Sequence, residues 1–150
     1  MRFPANIRAE KEGGYYIVFP DIPEAISCGR DIPDALYHGS NCLESAFEFY
    51  IESFRAVPTP SRLKKGQYLL DIPVSLTLKI LLLNAMVEKG VRPAALARKM
   101  KLRTEEVMRL LLPRYKAKLD AIADALHLLG KNLEFSVVPA LAIQPRKLPK

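Results

Sequence analysis

Ala85 to Phe135 reads AMVEKGVRPAALARKMKLRTEEVMRLLLPRYKAKLDAIADALHLLGKNLEF, and its punctuation decides what the rest of the chain can be. Gly90 can end a helix in the left-handed conformation, and Pro93 can open the next one in its first turn. The short helix that follows carries Leu96, Ala97 and Met100, with Ala97 small enough for a second helix to cross closely. Lys101-Leu102-Arg103 is a three-residue break, with Leu102 as an apolar plug for the corner. Thr104 reads as an N-cap, with Glu105 and Glu106 in the first turn, where the helix dipole favours acids. Val107, Leu110 and Leu111 form that helix's buried stripe. Pro113-Arg114-Tyr115 breaks the chain. Lys116–Leu129 is then a further helix, with Leu119, Ile122, Ala123, Leu126 and Leu129 inward and Gly130 as its stop.

The spacing of the two short helices is that of a helix-turn-helix, whose second helix enters the major groove of DNA. The stretch resembles the phage-repressor type, which has an apolar-Ala pair, a Gly four residues later, an apolar plug and a polar recognition helix. Ala97, Leu102 and Val107 match. Lys101 stands where that family usually has Gly, so the turn needs a left-handed Lys or another path. Pro93 stands where a phosphate-contacting Gln is common. On this reading Arg103, Thr104, Glu105 and Arg109 face base edges, with Arg109 suited to guanine and Glu105 to a cytosine amine. Lys101, Arg114, Lys116 and Lys118 are the expected phosphate contacts. A helix-turn-helix reads a palindrome as a dimer, so a homodimer is expected, with a tetramer as the alternative. The competing reading is a helical bundle that binds no nucleic acid.

The 150 residues suffice for one ordinary domain or two small ones, and 49% apolar content supports a packed core. Asp71, Pro73 and Lys79 interrupt the most apolar run, Leu69–Val87, so no membrane span is expected. Arg2, Pro4 and Asn6 have no apolar run behind them, which argues against a signal peptide and for the cytoplasm. Cys28 and Cys42 lack metal-ligand spacing to any His and read as buried cytosolic thiols. The net charge of +7 is unevenly spread. Residues 1–61 hold five Lys/Arg against nine Asp/Glu, a net −4, whereas residues 62–150 hold eighteen against seven, a net +11. That asymmetry suggests an acidic module joined to a nucleic-acid-binding one.

Phe3–Ala9 and Tyr15–Phe19 read as a hairpin joined by a polar loop that ends in Gly13-Gly14. Pro20-Asp21-Ile22-Pro23 turns the chain, and Ala25–Cys28 is a short third strand. Asp31 can cap a helix from Ile32 to Arg55, with Leu36, Leu43, Phe47, Tyr50 and Phe54 on one face. Ala35, Cys42, Ala46 and Phe49 widen that face, Glu44, Glu48 and Glu52 form a wet edge, and Gly39 is a weak point. Val57–Ser61 is a stiff Pro-rich loop, and Gln67–Val74 is a fourth strand. The order is β-β-β-α-β, a small sheet with one helix on a face. Ser75 opens the helical half, whose first helix is Leu76–Lys89. Leu133–Leu141 is expected to be a terminal strand, unpaired in its own half and open to a second copy. Gln144–Lys150 reads as a disordered tail.

Catalytic equipment is sparse. His38 and His127 read as surface or core histidines. Asp21, Glu24, Asp31 and Asp34 lie close in sequence, but turn and cap duties account for two of them, so neither metal nor cofactor is expected. Against this background the first half resembles the N-terminal domain of HicB antitoxins. Gly13-Gly14-Tyr15, Phe19-Pro20-Asp21-Ile22-Pro23, Asp34-Ala35-Leu36 and the Pro58-Thr59-Pro60-Ser61 loop stand at that family's positions. The resemblance implies an α+β chain. Residues 1–74 would be a partial ribonuclease-H-like domain, residues 75–143 an all-α helix-turn-helix and dimerisation domain with a C-terminal strand, and residues 144–150 a tail. It also implies a non-enzymatic antitoxin that binds a HicA-type, mRNA-cleaving toxin and represses its operon at double-stranded operator DNA. The toxin-facing residues expected are Tyr15, Tyr16, Pro20 and Asp21. Two alternatives stand beside this reading: a repressor whose first domain senses a small molecule, and a ribonuclease-H-like nuclease. The nuclease would need converging carboxylates, and Phe3–Ala9 carries none.

Overall fold

The computed structural model describes residues 1–140, and the expected tail lies outside them. The elements are β1 (Arg2–Ala9), β2 (Tyr15–Phe19), β3 (Ile22–Gly29), α1 (Ile32–Glu52), β4 (Tyr68–Asp71), α2 (Val74–Lys89), α3 (Pro93–Met100), α4 (Thr104–Leu111) and α5 (Leu119–Leu128). They form two compact units. The first holds Met1–Ala46, Pro58–Ile72 and the described residues from Val137, and the second holds Phe47–Val57 and Pro73–Ser136. The architecture is mixed α+β.

In the first unit four antiparallel strands take the order β3-β2-β1-β4. Asn6 pairs with Val18 and Ala9 with Tyr15, while Arg2 pairs with Asp71 across the other edge of β1. Gly13 and Gly14 both have positive φ, 101° and 81°, as the tight return from β1 to β2 requires. Alternation puts Phe3, Ala5, Ile17 and Phe19 on one face, all buried. The first turns of α1 lie against that face. A Cβ on Gly39 would stand 2.7 Å from Ile17 Cδ1, and one on Gly29 would stand 2.2 Å from the Ala35 backbone nitrogen. Gly39 is therefore a packing position, not the weak point its type suggests.

The helix starts as expected: Asp31 Oδ1 accepts the Asp34 N–H at 2.8 Å. Asp34 Oδ2 in turn accepts the Arg30 N–H at 2.9 Å and its Nε–H at 3.1 Å. Those bonds, the Arg30 side chain's first, hold the Asp34 carboxyl below the usual carboxylate range. α1 stops at Glu52, short of Arg55, because Phe54 takes a left-handed φ of 51° and the Arg55 N–H turns back to the Tyr50 carbonyl. Phe49 does not widen the buried face; it is half-exposed.

Two strand boundaries also move. β3 begins at Ile22 and includes Pro23, where a stop was expected. As an edge strand it has one side without a ladder partner, so a missing N–H is tolerated. β4 covers only Tyr68–Asp71, and α2 begins at Val74 with Pro73 at its N-cap position. Pro73 cannot donate within a strand but leaves its carbonyl to the Thr77 N–H at 2.9 Å.

In the second unit α2 is buried on most sides, through Leu76, Leu78, Ile80, Leu82, Leu83, Ala85 and Met86. α4 and α5 pack against it, and α3 packs on α4 and α5. Asn84 pins the chain after α1 by accepting the Val57 N–H at 2.8 Å and donating to its carbonyl at 3.0 Å. α3 contributes buried Leu96 and Ala97, and α4 contributes Val107, Leu110 and Leu111. Each large aliphatic among these is worth about 1.5–3 kcal/mol relative to exposure. α5 starts at Leu119, not Lys116, and its inner face is Ile122, Ala125, Leu126 and Leu129; Leu119 is largely exposed. Lys116, Ala117 and Lys118 are in neither helix nor strand, and Lys118 is the extended N-cap residue of α5. No strand forms over the described residues 133–140; Leu141 lies outside them. Phe135, Val137 and Val138 are exposed there.

Lys79 is the charged residue of this core, 2% exposed. Its Nζ donates to the Leu112 carbonyl at 2.5 Å and to the Tyr115 carbonyl.

Lys79→Met keeps the volume but leaves two carbonyls without that donor. The expected loss is about 1–3 kcal/mol in chemical denaturation, together with faster hydrogen exchange at the Tyr115 amide. An unchanged midpoint would refute the role given to this lysine. In the first unit, Gly29→Ala drives a methyl into backbone and should lose more stability than Gly39→Ala, whose neighbours are side-chain ends. The latter loss should be about 1–3 kcal/mol. The reverse ranking in a urea series would contradict the packing described for α1.

Candidate functional site

Two short helices and the segment behind them carry most of the cations of the helical unit. α3 ends on Lys101, whose φ of 56° and ψ of 40° are left-handed, as the turn demands of a residue standing in for Gly. The Lys101 N–H closes on Arg98 and the Leu102 N–H on Ala97 at 2.9 Å. Leu102 itself is 37% exposed, so backbone bonds close this corner where an apolar plug was expected. Arg103 occupies the N-cap position expected for Thr104, and Thr104 is the first residue of α4. Glu106 Oε2 accepts the Arg103 N–H at 2.7 Å, which satisfies one orphan donor of the helix start. This carboxylate, the third residue of α4, meets the Arg103 N–H, a different donor from the one an N-cap hydroxyl would have met.

The buried stripe of α4 forces its other side outward. Thr104, Glu105 and Arg109 are exposed there, beside Arg103 and Lys101. After the helix, Lys79 holds the carbonyls of Leu112 and Tyr115, and this sets where Arg114, Lys116 and Lys118 emerge, all exposed. The structure brings Arg109 and Arg114 together on one ring: their guanidinium carbons lie 5.7 Å and 5.3 Å from the Tyr115 centroid. Arg114 also donates to Glu48 Oε1 at 2.8 Å. The result is a face of cations with an aromatic among them.

The sheet unit presents its expected residues differently. Tyr15 and Tyr16 are half-buried on opposite faces of β2, and Tyr16 sits between Arg8 of β1 and Cys28 of β3. Pro20 is exposed at the turn. The Asp21 Oδ2 atom accepts the Ser61 N–H at 2.9 Å and its hydroxyl at 3.0 Å, tying the Pro-rich loop to the turn. Asp31 and Asp34 are engaged at the start of α1. His38 is exposed, its Nε2 3.4 Å from Asp34 Oδ1, and His127 is exposed beside Asn132. Among the described residues no group of three or more His, Cys, Asp or Glu could hold a metal ion. Both cysteines are free thiols, and Cys28 is exposed where burial was expected. No helix of the described residues is long and apolar enough to cross a membrane.

Lys79, Tyr115 and Glu48 are not among the residues expected at this face. A signal existed for the first two: Lys79 lies three residues from Leu76 and four from Leu83, on the buried period, and Tyr115 interrupts a basic run. Nothing local marks Glu48, whose partner is 66 residues away.

The comparisons with known proteins bear on both units. A family model described as the HicB-like antitoxin of bacterial toxin–antitoxin systems matches residues 2–81. The protein named antitoxin HicB 2 of Photorhabdus laumondii is 39% identical over 138 residues, covering 92% of this chain and 97% of that one. Antitoxin HicB of Escherichia coli strain K12 is 35% identical over 138 residues, covering 92% of this chain and all of that one. A third, antitoxin HicB of Pseudomonas fluorescens, is 28% identical over 132 residues, with 87% and 90% covered. With the family model matching more than half of the chain and these relatives aligning along nearly all of it, the chain belongs to the HicB antitoxin family.

Proposed function

We propose that this antitoxin neutralises a HicA-type, mRNA-cleaving toxin through its first domain and represses its own operon through its second. The observation that carries the DNA half is the exposed cationic face of α4 and the segment after it. Arg103, Thr104, Glu105 and Arg109 face base edges, and Lys101, Lys116 and Lys118 hold phosphates, with Arg114 a further phosphate position to the extent that Glu48 releases it. α3, the left-handed Lys101 turn and α4 act as a helix-turn-helix. Residues 75–143 form the DNA-binding and dimerisation domain, and the exposed apolar residues from Phe135 to Val138 offer surface to a second copy. Residues 1–74 form the toxin-binding domain, with a partial ribonuclease-H-like fold. Its net negative charge suits a basic, RNA-cutting partner, since complementary charge speeds capture. Tyr15, Tyr16, Pro20 and Asp21 are the contact residues, with Asp21 shaping that surface through Ser61. No catalytic role is assigned, because Asp21, Asp31 and Asp34 already serve a turn and a helix start.

Lys116→Ala should weaken binding to every DNA alike and flatten the dependence of log K on log salt by about one unit. Arg109→Ala should instead relax preference at one base position, at a loss of about 1–3 kcal/mol. The check is titration of the chain onto the DNA upstream of its own gene and onto random duplex, with two chains expected per palindromic site. If both variants match the parent on both DNAs, the cationic face is not the interface.

For the toxin half, co-expression decides. Residues 1–75 should rescue cells from the HicA-type toxin, and residues 76–150 should not. Rescue by the helical half alone would sink this division of labour. Cleavage of RNA by the purified first half would favour the nuclease reading instead.

A further inference from the structure

Glu48 lies in the last turns of α1, and Arg114 lies in the turn after α4. They meet at 2.8 Å within the helical unit. The Glu48 side chain is 30% exposed and that of Arg114 is 58% exposed. An ion pair so placed contributes only about 0–1 kcal/mol to stability, and Asn84 already pins the chain after α1 at Val57. The pair is therefore a weak clamp. It has a larger consequence for the cationic face. A guanidinium binds carboxylate and phosphate through the same planar donors, so the two acceptors compete. A carboxylate that occupies Arg114 also repels an approaching phosphate.

We propose that Glu48 attenuates DNA binding by holding Arg114 out of contact with the phosphate backbone. This rests on the DNA-binding reading of the face. Arg114 is positioned for it: its carbonyl-bonded neighbour Tyr115 is fixed by Lys79, and its guanidinium stands beside the Tyr115 ring. With Glu48 present, Arg114 enters the complex already neutralised and releases little counterion. With Gln at position 48, Arg114 supplies a further phosphate contact, and the slope of log K against log salt steepens by about 0.9.

The experiment measures binding of the full chain to random-sequence duplex DNA by fluorescence anisotropy across a salt series. It compares the parent, Glu48→Gln, Glu48→Ala, Arg114→Ala and the Glu48→Gln/Arg114→Ala double variant. Both Glu48 variants should bind several-fold tighter at low salt and show the steeper slope. Arg114→Ala serves as the reference background, in which the gain from Glu48→Gln should vanish. A Glu48→Gln variant with the parent's affinity and slope overturns the inference while leaving the DNA-binding reading intact. So does a gain that persists undiminished without Arg114, since that would be long-range charge and not this contact. A parent that binds no duplex DNA overturns both.

Discussion

A buried ammonium governs the helical half of this chain. Lys79 sits in an otherwise apolar helix, and such a group is tolerated inside a core only when acceptors meet it. Two of those acceptors are the carbonyls of Leu112 and Tyr115, one just past the end of α4 and one three residues on. A helix end leaves carbonyls without intrahelical partners, and here a side chain from α2 supplies the donor. Pro113 keeps α4 from continuing, and Lys79 decides where the chain goes instead. The positions of Arg114, Tyr115, Lys116 and Lys118 follow from that one contact.

The same unit shows how a helix of one half serves another purpose at its end. Up to Ala46, α1 is committed to the sheet unit, where Gly29 of β3 makes room for Ala35 and Gly39 lets the helix close on Ile17 and Phe19. From Phe47 its residues belong to the helical unit. There Glu48 meets Arg114, Phe54 carries the Arg92 guanidinium at 4.8 Å, and Val57 is gripped by Asn84. These are polar and cation–π contacts, specific in geometry and modest in energy. They orient side chains more than they stabilise the fold.

Charge segregation along the chain gains meaning from these contacts. The acidic first 61 residues spend several carboxylates on structure. Asp31 and Asp34 build the start of α1, Asp21 anchors Ser61, and Glu48 neutralises an arginine of the basic half. The net charge that reaches a partner is therefore arranged by local bonding, and formal counts along the sequence give only its sign.

Much of the fold was legible beforehand. The aromatic and β-branched run Tyr15–Phe19 and the Gly13-Gly14 pair marked the hairpin, and Asp31 announced the helix start. Gly90, Pro93 and the Lys101 break located two short helices, because these residues act through backbone rules that need no distant partner. Tertiary structure alone decided the rest. An edge position let β3 run through Pro23. A left-handed Phe54 ended α1 early. Leu102 stayed out of the corner it was expected to fill, and residues 133–140 formed no strand. At the candidate site the sequence chose the cations, since their exposure follows from the buried stripe of α4. It could not show which carbonyls Lys79 meets, that Tyr115 lies beside two arginines, or that Glu48 holds one of them. The lysine and glutamate contacts join segments 33 to 66 residues apart, and the arginines meet the Tyr115 ring only through the turn after α4. Local pattern determines which way a side chain faces, and only the folded chain determines what it meets.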